Sequence, residues 1–148
     1  MIDEANKLTK IALKFLSFRP RLTLEIKNRL LKETKNQTLI DEIIARLTQD
    51  KFLNDKIFIS DFINYQIKKY QGPFVIKMKL KRLGADPFLV DRMIKDIFPD
   101  ETQIDLIRNL ISKKSRQLKI DFKAKAKLFR FLLGRGFRRD LITRLLID

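Results

Sequence analysis

Glu25-Ile26-Lys27 is the closest approach to a catalytic signature in these 148 residues: it matches the E-x-K half of a metal-dependent nuclease motif. That chemistry needs a strand and an upstream carboxylate at the metal. Here Ile26 and Leu30 recur at helical spacing and place the triplet on a helix instead. The chain has no histidine and no cysteine, which removes the usual general base at neutral pH, thiolate metal sites and disulfides. It has no G-x-x-x-x-G-K-[ST] phosphate loop and no G-x-G-x-x-G, and no motif sets a basic partner beside any serine. The residues therefore read as a protein that is not an enzyme and calls for no cofactor or metal.

The chemistry the chain does offer is cationic. It carries 33 Lys+Arg against 18 Asp+Glu, a formal charge of +15, of which residues 1–50 supply +3, 51–100 +4 and 101–148 +8. Such an excess favours polyanionic partners through phosphate contacts and counterion release. Three groups stand out. Lys77, Lys81 and Arg82 flank Met78 on the side of a helix away from Ile76 and Leu80. That face is either a contact surface or a solvated face with a stray methionine. Lys123, Lys127 and Arg130 share one face of a later helix, and Arg135, Arg138 and Arg139 crowd the turn after it.

The elements that position these groups are all helical. Hydrophobic residues make up 45% and charged residues 34%, the balance of a chain that folds. No stretch alternates with the period of two that strands require, so the class is all-α. Gly84 and Gly136 follow apolar-periodic segments as helix-ending glycines do, and Asp86-Pro87 reads as a cap followed by proline at the first helical position. Thr38 with Asp41 suggests a capping box, and Asp55 and Asp121 are expected caps. No apolar run approaches the ~18 residues of a membrane span. The opening MIDEANKLTK has acidic residues and no apolar core of a signal peptide, so the chain is expected to be cytoplasmic and complete as written.

A repeat underlies the helices. Ile26, Leu30, Ile40 and Ile44 recur at an offset of fifty as Ile76, Leu80, Val90 and Ile94, and again at fifty-two as Leu128, Leu132, Ile142 and Leu146. A longer helix is expected before each set: Lys7 to Phe18, Lys56 to Tyr70, and Thr102 to Gln117. The expectation is three tandem three-helix repeats, residues 1–50, 51–99 and 100–148, each leaning on its neighbours because so small a unit buries little alone. Gly72-Pro73 is then a corner inside the second repeat, with proline where its missing N–H costs nothing. The basic positions do not repeat, so each unit has its own outer surface.

Several segments together resemble the RecX family of recombinase regulators. Arg19, Glu25-Ile26 and Leu30 are similar to its first-unit pattern, and KFLNDKIFISDFI (51–63) to its central turn before an aromatic helix. Gly72, Pro73, Ile76 and Leu80 match its Gly-Pro segment, and KLFRFLLGRGF (127–137) its Arg-Gly-Phe region. The resemblance runs collinearly over residues 10–147. It departs where Leu22 stands in place of a capping Ser, which leaves Thr23 as the expected cap, and at Arg138, near another such cap.

The resemblance implies a monomeric, elongated, curved protein that lies in the helical groove of the RecA–DNA filament and inhibits ATP hydrolysis and strand exchange. RecA as the filament is then the partner, with DNA a further possible contact. Two other readings stay open from the residues: a free-standing basic DNA-binding protein, and a helical scaffold for an acidic protein. Few Asn, Gln or Arg residues cluster at the start of one helix as base readout would want.

Overall fold

The structure, a computed structural model, describes residues 2–115 and 121–147. Among them are nine helices and no strand: α1 Ile2–Phe18, α2 Thr23–Leu31, α3 Gln37–Gln49, α4 Asp55–Lys68, α5 Pro73–Leu83, α6 Pro87–Ile97, α7 Asp100–Ser115, α8 Phe122–Gly134 and α9 Arg139–Ile147. The three long helices expected before each apolar set are α1, α4 and α7; the expected end of the third, at Gln117, lies outside the described residues.

Helix starts follow local chemistry, with three corrections. Asp86 Oδ1 accepts the Phe88 N–H and Asp121 Oδ1 the Ala124 N–H, as expected of caps. α3, however, is capped by Asn36, which takes the Leu39 N–H, and Thr38 already lies inside the helix. α4 is capped by Asn54, which takes the Ile57 N–H. In both cases the asparagine side chain reaches an orphan N–H from just before the first helical residue, and asparagine is among the best caps. Asp55 is freed for a different bond: its Oδ1 accepts both the N–H of Thr23 (2.8 Å) and its hydroxyl (3.0 Å), tying the start of α2 to the start of α4. Thr23 therefore does not cap α2. Leu22 occupies the cap position, and Glu25 reaches back to accept the Leu22 N–H at 2.8 Å.

The helices pack in threes. α1, α2 and α3 touch one another, as do α4, α5 and α6, while α9 holds both α7 and α8. The twelve repeated apolar positions are all buried except Ile44, which is only partly so; Ile43 lies deeper and completes a stripe with Ile40 and Leu47. The buried apolar residues form two cores. One lies within α1–α3, with Leu53. The other runs without a break through α4–α9 and takes Leu22 from the first repeat. The surface of 10323 Å² is well above the roughly 7900 Å² of a compact 17.6 kDa chain, as a row of small units requires.

Contacts between successive repeats use the same turn. Gly84 after α5 and Gly136 after α8, both in the left-handed region (φ +93 and +95), are fifty-two residues apart, and each receives the second helix of the preceding repeat. Leu24 of α2 presses on Gly84, and Val75 of α5 on Gly136. At the second contact the backbones themselves meet: the Gly72 N–H donates to the Arg135 carbonyl (2.7 Å) and the Phe74 N–H to that of Gly136 (3.0 Å). Gly72-Pro73 is thus the expected corner, with glycine as the cap and proline first in α5, and it is also the joint between α5 and the α8–α9 turn.

Leu80 is fully buried in the larger core. Leu80→Ala is expected to lower stability by about 2–5 kcal/mol, read by denaturant unfolding. A loss below about 1 kcal/mol would show that the repeat stripe does not carry the fold.

Candidate functional site

The nine basic residues singled out from the sequence separate into those held by the fold and those left open. On α5, Lys77 is half-buried with its Nζ 3.0 Å from Asp91 Oδ1 on α6. Lys81 and Arg82 are exposed beside exposed Met78, with no ion pair among the described residues. Only two cations of that trio are therefore free to meet an anion.

In the last turn the fold claims more. Arg138 bonds Asp100 at the start of α7 (2.5 Å) and grips Asp140 through Nε (3.1 Å) and Nη2 (2.6 Å). Its guanidinium is held above the usual arginine range, first by the hydrogen bond to Asp140, and Asp140 is held below the usual carboxylate range chiefly by the same bond. Arg135 donates to the Lys69 carbonyl (3.0 Å) and lies over the Phe131 ring (5.3 Å). Both arginines fasten helices together. Arg139 is exposed, 5.5 Å above Phe129. It shares a depression of about 740 Å³ with Arg144, a basic residue that the sequence reading did not name. The signal was faint, because Arg139 and Arg144 are five apart on α9 and fall on no single helical stripe.

The α8 face is the most open. Lys123, Lys127 and Arg130 are exposed and line a shallow depression of about 520 Å³ with Phe122, Ala124 and Ala126. The one acidic residue there, Asp121, has its carboxylate turned to the Ala124 N–H. Lys123, Lys127 and Arg130 make no ion pair among the described residues, so their charge faces solvent. Glu25 of the nuclease-like triplet is spent on structure: Oε1 meets Arg19 and Arg21, and Oε2 caps α2.

Residues 101–146, which span α7 to α9, match the family model described as RecX, third three-helix domain. A regulatory protein RecX from Lactococcus lactis subsp. lactis (strain IL1403) is 34% identical over 140 residues, covering 91% of this chain and 52% of that protein. One from Bacillus cytotoxicus is 32% identical over 143 residues, covering 95% and 53%. The crystal structure of RecX from Lactobacillus salivarius superposes with a TM-score of 0.87 at 25% identity, over 99% of this chain and 96% of that one.

The chain belongs to the RecX family. A second solved structure, of regulatory protein RecX, shares the fold at a TM-score of 0.78 and 19% identity. The chain spans about half the length of the curated RecX relatives it matches. These relatives are named as regulatory proteins, and among the described residues no helix of the chain is long and apolar enough to cross a membrane.

Proposed function

We propose that this RecX-family chain regulates a RecA recombinase in the cytoplasm by lying, as a monomer, in the groove of the RecA–DNA filament, lowering ATP hydrolysis and strand exchange. It acts by binding and carries out no reaction of its own. Residues 1–50, 51–99 and 100–148 serve as three units, each presenting a different face along the filament. The observation that carries this reading is the open cationic face of Lys123, Lys127 and Arg130, with Lys81 and Arg82 as a second patch on the neighbouring repeat. Lys77, Arg135 and Arg138 act beneath these surfaces by holding helices in place, and Arg139 extends the charge onto α9. The family's printed role as regulatory protein supports the direction of the reading.

Binding measured side by side on bare DNA, on RecA alone and on the assembled filament tests it. Affinity should be highest for the filament at every ionic strength and should fall steeply as salt rises, because released counterions drive the contact. Equal affinity for bare DNA and filament would instead identify a stand-alone DNA-binding protein. No salt dependence would remove the electrostatic basis altogether.

A further inference from the structure

Phe122 begins α8 and is 87% exposed, although nothing in a cap or a first helical turn calls for an aromatic ring there. It heads a stripe. Phe122, Ala126 and Phe129 stand at i, i+4 and i+7 and share one side of α8, where Leu146 and Ile147 of α9 complete the wall. Ile147 is 72% exposed. Together they line an open groove of about 470 Å³ between α8 and α9, which Thr143, Lys125 and Arg130 border. No carboxylate among the described residues lines it. The stripe is roughly 10 Å long, the length of two helical turns.

From this geometry we infer that the α8–α9 groove is a docking site for an acidic amphipathic helix of a partner protein. An apolar floor between two helices takes the apolar stripe of a third, the helix-in-groove mode of recognition. The rim selects the charge: Lys125 and Arg130 are both cationic, with Arg139 close by over Phe129, so carboxylates flanking the partner's apolar stripe are matched and basic flanks are repelled. A single-stranded nucleic acid fits less well. Stacking needs successive open aromatic faces. Here Phe129 is partly buried with Arg139 lying over its ring, leaving Phe122 alone. The inference goes beyond the filament reading and does not depend on it. Phe122, Ala126 and Arg130 line both depressions, but Lys125, Phe129, Leu146 and Ile147 belong to the groove alone and Lys123 and Lys127 to the filament face alone.

The test titrates the isotope-labelled full chain with a synthetic helix of about four turns, leucine at i, i+4, i+7 and i+11 and glutamate and alanine elsewhere. A scrambled peptide of the same composition and an oligothymidylate serve as comparisons. The expected result is saturable amide shifts confined to α8 and α9, with the scrambled peptide at least about tenfold weaker, a difference of about 1.4 kcal/mol. The exposed double variant Phe122→Ser/Ile147→Ser should weaken the helix by at least about tenfold while its unfolding temperature stays unchanged. Equal binding of the scrambled peptide, unaltered binding by the double variant, or no saturable shift with the designed helix would each overturn the inference. Oligothymidylate giving the same shifts at lower concentration would make the groove a nucleic-acid site instead.

Discussion

Gly72→Ala is expected to lower the unfolding temperature by roughly 6–12 °C, while Gly134→Ala, in the same joint region of the sequence pattern, leaves it unchanged or raises it. A Cβ on Gly72 would stand 2.3 Å from the Gly136 carbonyl carbon, 2.4 Å from the Phe137 nitrogen and 2.5 Å from the Gly136 oxygen. All three are backbone atoms, so no side chain can swing aside. α5 must instead move away from the α8–α9 turn, and the bonds from Gly72 N–H to Arg135 and from Phe74 N–H to Gly136 lengthen together. Two such bonds contribute about 0.5–1.5 kcal/mol each, and the disturbed packing around fully buried Phe137 brings the loss to about 3 kcal/mol. For a chain of this size 1 kcal/mol corresponds to roughly 2–4 °C. Gly134 is the internal control: it is the last residue of α8, exposed, with nothing within 4 Å of an added Cβ, and alanine is the better helix former by about 1 kcal/mol. Scanning calorimetry on both variants decides the matter. Equal melting temperatures for the two would mean that the close approach of Gly72 to Gly136 does not hold the second and third repeats together.

That joint marks the boundary of what the sequence could show. Ile26, Ile76 and Leu128 were legible as equivalents because a helix writes its buried face every three or four residues, and the pattern survives copying at a fixed offset. The caps were legible only to within a residue or two. Asn54 and Asp55 are adjacent, and either could cap α4; the choice depends on Thr23, thirty-two residues away, which draws the Asp55 carboxylate to itself. Gly72 read correctly as a corner, since Gly-Pro has a local conformational meaning. Its meeting with Gly136 has no local signature: it is a contact across sixty-four residues, and two glycines that touch look the same in sequence as two that do not.

The basic residues show the same division. Lys123, Lys127 and Arg130 could be placed on one open face because helical spacing alone sets it, and no acidic residue stands three or four positions away within α8 to neutralise them. Arg138 could not be separated from Arg139 in this way. One grips Asp140, two residues on, and Asp100, while the other is exposed; the first of these bonds is local, and only the second depends on where tertiary packing brings the start of α7. Lys77 likewise looked equivalent to Lys81 until α6 set Asp91 beside it. A count of cations along the chain therefore overstates the charge available to a partner, and the structure shifts its weight toward α8.

This redistribution sets the size of the last prediction. Lys123→Glu/Lys127→Glu/Arg130→Glu should fold as the parent does, because each side chain is exposed and unpaired among the described residues and such changes cost within ~0.5 kcal/mol. Each lost phosphate contact lowers the slope of log affinity against log salt by about 0.9 on duplex DNA. If the three side chains meet an anionic filament, the slope should fall by about 2–3, and affinity at physiological salt should drop by at least about tenfold. Inhibition of RecA's ATP hydrolysis should weaken in parallel. Lys81→Glu/Arg82→Glu removes two open cations and should reduce the slope by about 2 at most. Arg138→Glu belongs to neither class: it would set a third carboxylate between Asp100 and Asp140, so its first effect should be on thermal unfolding. A folded α8 triple variant with the parent's salt slope and full inhibition would show that face to be only solvated surface. The proposed filament contact would then have to lie on Lys81, Arg82 and Arg139, and if their reversal was also silent, electrostatics would not be the basis of binding.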